Sequence, residues 1–309
     1  MSYKVSVATC VYNRAHTIHR VFNSMKTQTY RNLEHIIVDD GSTDDLDALV
    51  EEYIQEVDYP VKYFKKPNGG KHTATNLAWD NATGDFIVQL DSDDELLPGA
   101  IEFLVKTYEA IPDEIKDEYW CVHGRCIDQI EHKMKGKPYP EGINQLPADE
   151  AKEIARSLGG DKVGLMKREK LEGWRYPEPE YVKFVSEAYL WIPLNRLYRT
   201  WYTNEVVLIA YTNEGECLSR PKKNSQTFSN VAFYFNWLLE NASKYGISRK
   251  AHFVTLLKYV IYYELSTVEY KEHYPYRSSD ISKIDNIMLF LLRPFGKIAC
   301  LYLRKRWKV

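Results

Sequence analysis

From residue 5 the chain alternates short apolar runs with longer mixed stretches, and the period of the pattern changes at each switch. Val5-Ser6-Val7-Ala8, Leu33 to Val38, Val61 to Phe64 and Phe86 to Leu90 are short, largely apolar and rich in β-branched and aromatic residues. They read as buried strands. Between them the apolar positions recur at helical spacing: Ile18, Val21, Phe22 and Met25 within 17–27, then Leu46, Leu49, Val50 and Ile54 after a turn whose Ser42 or Thr43 can cap the helix. A further helix is predicted over 71–81. Strands alternating with helices of about ten residues imply an α/β fold with parallel pairing. Ligands then bind at the carboxyl ends of the strands.

Further on, Trp120 to Gln129, Val163 to Met166 and Val206 to Tyr211 read as strands, and from Val231 the pattern is helical, with 231–239 and 253–265 apolar over much of their circumference. This predicts a sheet domain over 1–220 and a helical C-terminal extension over 221–309. The last segment changes character again: no acid follows Asp285, and Ile287 to Leu292 lead to a tail of leucine, tyrosine, tryptophan, arginine and lysine. Such a mixture suits either a helix lying on an anionic membrane surface or a tail packed on its own domain.

The chain has 309 residues, enough for one large α/β domain and an appendage. A formal net charge of −2 argues against a nucleic-acid binder. Cys10, Cys121, Cys126, Cys217 and Cys300 are dispersed without Cys-x-x-Cys spacing, which fits reduced thiols in a cytoplasmic protein. Cys121, His123 and Cys126 lie in a strand-like run without a fourth ligand, so core packing is the better reading. No apolar signal core opens the chain, and no run approaches the ~20 apolar residues a membrane span needs. Twenty-four tyrosines and seven tryptophans suit sugar or base stacking as well as a core.

The chemistry collects where the strands end. After the first come Thr9, Tyr12, Asn13 and Arg14; after the second, Asp39 and Asp40; after the third, Gly69, Gly70 and Lys71; after the fourth, Asp91, Ser92, Asp93 and Asp94. Three carboxylates this close repel one another and call for a cation or for donors. Aspartates one residue apart at a strand end can hold a hard divalent ion that also binds phosphate. Gly-Gly-Lys at a helix start suits an anion.

Taken in order, Val5 to Arg14, Ile37-Val38-Asp39-Asp40-Gly41-Ser42-Thr43-Asp44, Gly70-Lys71 with Ala74 and Asn76, and Asp91-Ser92-Asp93-Asp94 resemble the successive motifs of family 2 glycosyltransferases of the GT-A fold. The resemblance covers roughly the first 110 residues. It implies a Rossmann-like, mostly parallel sheet with flanking helices, a nucleotide-sugar donor (a UDP-sugar) and a divalent metal, Mn²⁺ or Mg²⁺. Thr9, Tyr12, Asn13, Arg14, Asp40, Lys71, Asn76, Asp91 and Ser92 would surround the nucleotide, and Asp93 would meet the metal. It also implies inversion at the transferred sugar and an acceptor that is a saccharide or lipid-linked saccharide of the cell envelope. The enzyme would be cytoplasmic, or peripheral at the inner face of the membrane through its tail.

Aligning Leu190-Trp191 with the Leu-Trp of the family places Glu187 as the catalytic base, with Ser186 where a second acid is common and Glu178 and Glu180 as rivals. Arg220, in a loop over 213–220, is a candidate for meeting the leaving diphosphate. Two other readings stay open: a phosphotransferase with an aspartyl nucleophile at Asp91 or Asp93, and an inactive membrane-associated scaffold. A nicotinamide enzyme is disfavoured, because Thr9 to Arg14 contains no glycine.

Overall fold

The computed structural model describes residues 3–211 and 222–307. The loop over 213–220, Arg220 included, therefore lies outside the described residues. The chain divides into two units, Met1–Arg175 with Leu190–Glu214, and Tyr176–Tyr189 with Gly215–Val309. The segment 176–189, which the sequence pattern assigns to the sheet domain, groups instead with the C-terminal helices. Lys183 N donates to Asn230 Oδ1 at 2.9 Å, Gln226 Nε2 donates to Tyr181 O at 2.9 Å, and Tyr189 stacks on Trp237 at 4.2 Å.

The first unit is built on one sheet of eight strands: β1 (Val5–Val11), β2 (Leu33–Asp39), β3 (Val61–Lys65), β4 (Phe86–Gln89), β5 (Glu95–Leu96), β6 (Tyr119–Asp128), β7 (Lys162–Lys167) and β8 (Arg199–Ala210), in the order β3-β2-β1-β4-β7-β6-β8-β5. The first half is parallel, with β1 paired to both β2 and β4, and β2 to β3. β7 then runs antiparallel to both β4 and β6, β8 lies parallel to β6, and β5 closes the edge antiparallel to β8. Helices α1 (His19–Lys26), α2 (Leu46–Glu56), α3 (Lys71–Asp80) and α4 (Ala100–Glu109) provide the crossovers and flanks, and α5 (Asp113–Lys116), α6 (Ala148–Ser157) and α7 (Arg168–Leu171) follow.

β1 and β2 are covered on both faces, which is why they read as unbroken apolar runs rather than alternating ones. Polar side chains inside this layer are all matched. Thr9 Oγ1 meets His35 Nε2 at 3.0 Å, His35 Nδ1 meets the Tyr53 hydroxyl at 2.9 Å, and that hydroxyl meets Tyr59 at 2.8 Å. Burial pushes the His35 pKa down to about 3, so the ring is neutral. At the amino ends of the strands, Glu34 is buried and accepts from Ser6 Oγ at 2.6 Å, Thr83 N at 2.7 Å and Lys4 Nζ at 2.9 Å.

Two expectations are corrected here. Neither Ser42 nor Thr43 caps α2: Asp45 holds the cap position without a side-chain bond, and Ser42 and Thr43 bond Asn13 instead. β8 starts at Arg199, seven residues before the predicted Val206. Its first half alternates half-buried with buried positions, and Asn204 and Glu205 are exposed where its register with β6 shifts.

The segment over 176–189 leads into α8 (Ala188–Leu197), which from Leu190 onward belongs to the first unit; in the second unit α9 (Ser225–Glu240), α10 (Arg249–Leu265), α11 (Val268–His273) and α12 (Lys283–Trp307) follow. Asn224, Ser248 and Thr267 cap α9, α10 and α11 by accepting from the third following amide. The core is rich in tyrosine, with Tyr259, Tyr263, Tyr270 and Tyr276 buried against one another. α12 is a single helix of 25 residues running through Pro294. By length and composition it is apolar enough to cross a membrane, with a mean hydropathy of 1.4 over its most apolar 18-residue window, although each of its apolar runs is far shorter than the ~20 residues sought in the sequence. Arg293, Pro294 and Lys297 interrupt the apolar run in the sequence but not the helix.

Candidate active site

β1 ends between β2 and β4, so the loops leaving these three strands stand side by side at one edge of the sheet. The loop after β1 is tied to the loop after β2. Asn13, in the left-handed region at φ 51°, donates its backbone N–H to Ser42 Oγ at 2.9 Å and accepts from Thr43 N at 2.8 Å. Tyr12 stays 48% exposed at this edge.

Asp40 follows β2 and is buried, with its carboxylate turned into the loop after β3. It accepts from Lys66 Nζ at 2.7 Å, Gly69 N at 2.9 Å, Gly70 N at 2.7 Å and Asn68 Nδ2 at 3.2 Å. Gly70 has φ +101°, a conformation that suits glycine, and precedes α3 directly. The helix start that the sequence offers to an anion thus already faces one, the carboxylate of Asp40. Asn76 is buried in α3.

After β4 the chain turns sharply, with Asp94 N donating to Asp91 O at 3.2 Å, and enters β5. This acidic hairpin is held from three sides. Thr17 Oγ1 donates to Ser92 O at 3.2 Å and Arg20 to Asp93 O at 3.4 Å. Tyr211 N donates to Asp94 Oδ1 at 3.0 Å, its hydroxyl donates to Glu95 at 3.1 Å, and the Arg20 guanidinium lies over its ring at 3.9 Å. Lys71 Nζ approaches Asp91 Oδ1 at 2.7 Å, and Arg14 approaches Asp93 Oδ2 at 3.9 Å.

These cations do not balance the cluster. Burial first, and then the charges of Asp91 and Asp93, push the Asp94 carboxyl up to about 8 against the hydrogen bond from Tyr211. Asp93 is raised as well, by burial and by Asp91, with Arg14 opposing. Among the described residues, Asp91, Asp93 and Asp94 form the grouping able to share a metal ion, each offering a carboxylate oxygen within 4.8 Å of the others. An all-oxygen donor set suits a hard divalent cation, so these residues fit one. Cys121 and Cys126 are buried in the core, and burial raises both thiols and drops His123 to about 3. They form no such grouping among the described residues.

The structure thus brings Tyr12, Asn13, Arg14, Asp40, Lys71, Asp91, Ser92 and Asp93 to one sheet edge. Thr9 differs: it is fully buried and its hydroxyl is bonded to His35, on the core side of β1. Glu187 belongs to the second unit, exposed at the turn into α8, where Ser186 Oγ accepts from Ala188 N at 3.3 Å. Glu180 lies 3.8 Å from His273 in the same unit. Thr17, Arg20 and Tyr211 escaped the sequence reading. Thr17 and Arg20 were polar positions beside a clear apolar stripe, and Tyr211 is 117 residues from Asp94.

The sequence model described as "Glycosyl transferase family 2" matches residues 6–141. A GalNAc(5)-diNAcBac-PP-undecaprenol beta-1,3-glucosyltransferase of Campylobacter jejuni is 29% identical over 228 residues, which is 68% of this chain and 69% of that protein. The chain spans a third or less of the length of several other curated relatives. Among solved structures, S. aureus TarS 1–349 in complex with UDP-GlcNAc superposes with a TM-score of 0.58 at 17% identity, covering 96% of this chain and 87% of that one. The mannosyltransferase PcManGT of Pyrobaculum calidifontis, with GDP-Man and Mn²⁺, gives 0.54 at 16% identity, covering 96% and 88%.

A parallel β1–β4 core, an acidic hairpin after β4 and an antiparallel continuation of the sheet make this a GT-A fold. Residues 6–141 match the model of glycosyl transferase family 2, and that match falls on the stretch that carries all these loops.

Proposed function

We propose that the protein transfers a sugar from a UDP-sugar to an acceptor hydroxyl with inversion at the anomeric carbon. The observation that carries this reading is the acidic turn after β4, where Asp91, Asp93 and Asp94 each offer a carboxylate oxygen within reach of one shared cation, beside an exposed aromatic ring and the basic side chains of Lys71 and Arg14. A divalent cation, Mn²⁺ or Mg²⁺, held by Asp93 with Asp91 beside it, supplies neutralisation of the diphosphate oxygens when bound. Tyr12 stacks on the base, while Asn13 and Asp40 keep the nucleotide-side loops in place. Lys71 and Arg14 attract the donor phosphates.

Glu187 accepts the proton of the acceptor hydroxyl. The new O–C1 bond forms on the face opposite the departing phosphate oxygen, which keeps the electron pair of the broken bond. The acceptor is a lipid-linked or polymeric saccharide of the cell envelope, in line with the undecaprenol-linked saccharide for which the Campylobacter jejuni relative is named, and the enzyme works at the inner face of the membrane that carries it.

The test is a thermal-shift screen of nucleotide sugars with and without Mn²⁺. A UDP-sugar is expected to raise Tm in the presence of Mn²⁺ and to lose that effect in EDTA. Stabilisation by no nucleotide sugar overturns the reading. Glu187→Gln is expected to bind donor normally and to lose turnover; full transfer by this variant removes Glu187 from the mechanism.

A further inference from the structure

The two faces of α12 have opposite surroundings. On one, Leu289, Gly296 and Cys300 are buried. A Cβ at Gly296 would fall 2.1 Å from Val260 Cγ1, so glycine lets α10 approach this closely. The Tyr276 hydroxyl donates to Leu289 O at 2.9 Å, and Trp307 stacks on Phe228 at 5.6 Å, so the contact runs the length of the helix. On the other face Ile284, Ile287, Leu291, Phe295, Ile298 and Tyr302 follow one another at three- and four-residue steps and are 57% to 74% exposed. That is one continuous apolar stripe.

We infer that this stripe lies in the plane of an anionic lipid surface, with α12 resting on the membrane rather than crossing it. Charge names the occupant. Arg293 and Arg304 lie towards α10, where both meet Glu264, whereas Lys305 and Arg306 close the end of the stripe and Lys297 stands beyond the exposed Phe290 and Leu301, and these three cations are exposed. No acid follows Asp285. An anionic surface satisfies both the apolar stripe and its basic margin. A second copy laid along the same stripe would set cation beside cation.

The buried face decides between resting and crossing. It is docked on α10, which carries exposed Arg249, Lys250 and Lys258, and mid-helix Arg293 pairs with Glu264 of α10 at 3.0 Å. Crossing would draw these charges into hydrocarbon. The inference deepens the membrane location proposed above and rests on it alone, so it is tested without the transfer reaction.

The full chain is sedimented with vesicles of phosphatidylcholine alone and of phosphatidylcholine with phosphatidylglycerol, and donor binding is measured in parallel. Binding is expected to the mixed vesicles, to weaken with salt, and to be abolished in Leu291→Glu/Ile298→Glu. Lys297→Gln/Lys305→Gln/Arg306→Gln is expected to lower partitioning by about five-fold for each cation removed. Both variants alter exposed positions and should keep the parental Tm. Three results overturn the inference: no binding to mixed vesicles, binding unaffected by the paired glutamates, or a dimer that these glutamates dissociate in place of vesicle binding. Retained donor binding alongside any of them leaves the sugar-transfer reading standing.

Discussion

Lys71 Nζ stands 2.7 Å from Asp91 Oδ1, joining the first residue of α3 to the acidic hairpin after β4. The lysine therefore both screens the carboxylates and attracts phosphate, and its removal should move the two functions in opposite directions. Lys71→Met is expected to bind Mn²⁺ alone several-fold more tightly and a UDP-sugar about ten-fold more weakly. Isothermal titration measures both, and parallel weakening of metal and donor would contradict this account.

Asp40 accepts from two backbone amides, Lys66 and Asn68. Asp40→Ala removes the buried acceptor that these four donors of a partly exposed loop share, at a cost of about 3 kcal/mol. Tm should fall by roughly 6–12 °C, and donor affinity should fall with it, because the loop before α3 loses its anchor. Asp40→Asn keeps an acceptor and should lose less than half as much.

Thr9 separates position from contact. Its hydroxyl is buried against His35, so Thr9→Val is expected to cost about 1 kcal/mol of stability. Donor Kd should stay within about two-fold. A large loss of affinity at unchanged Tm would mean that the hydroxyl meets the nucleotide after all.

Glu34 gives a pH dependence of known sign. Burial alone would raise its carboxyl, but the bonds from Ser6, Thr83 and Lys4 outweigh burial and hold it at about 2, below the ordinary 4.5. Its contribution is complete above pH 4.5 and is lost as the pH falls towards and through 2. Tm of the parent should drop across that window, and Glu34→Gln should be less stable at neutral pH with a flatter acid limb. Matching acid limbs would refute the assignment.

The parallel half of the sheet was legible because β1, β2 and β4 are largely buried and its loops are short, so each strand end announces its own chemistry. Asp91, Asp93 and Lys71 needed only this local order. The partnerships that hold the site were not legible, since Tyr211 reaches Asp94 across 117 residues and Asp40 spends its carboxylate on backbone amides that have no signature in the sequence. Which way Thr9 faces was not legible either: neighbouring residues of a strand face opposite sides, and only the packing of His35 tells which side is the core.

The tyrosines of the second unit have an optical consequence. Tyr259 and Tyr276 lie parallel with centroids 5.9 Å apart, and Tyr263 stands edge-on to Tyr276 at 4.9 Å. Rings fixed this rigidly give strong near-ultraviolet dichroism, which disappears when packing loosens even if helix content survives. The helices that carry α12 thus hold a built-in gauge of their own tertiary order, readable in an unmodified sample while vesicles are titrated in.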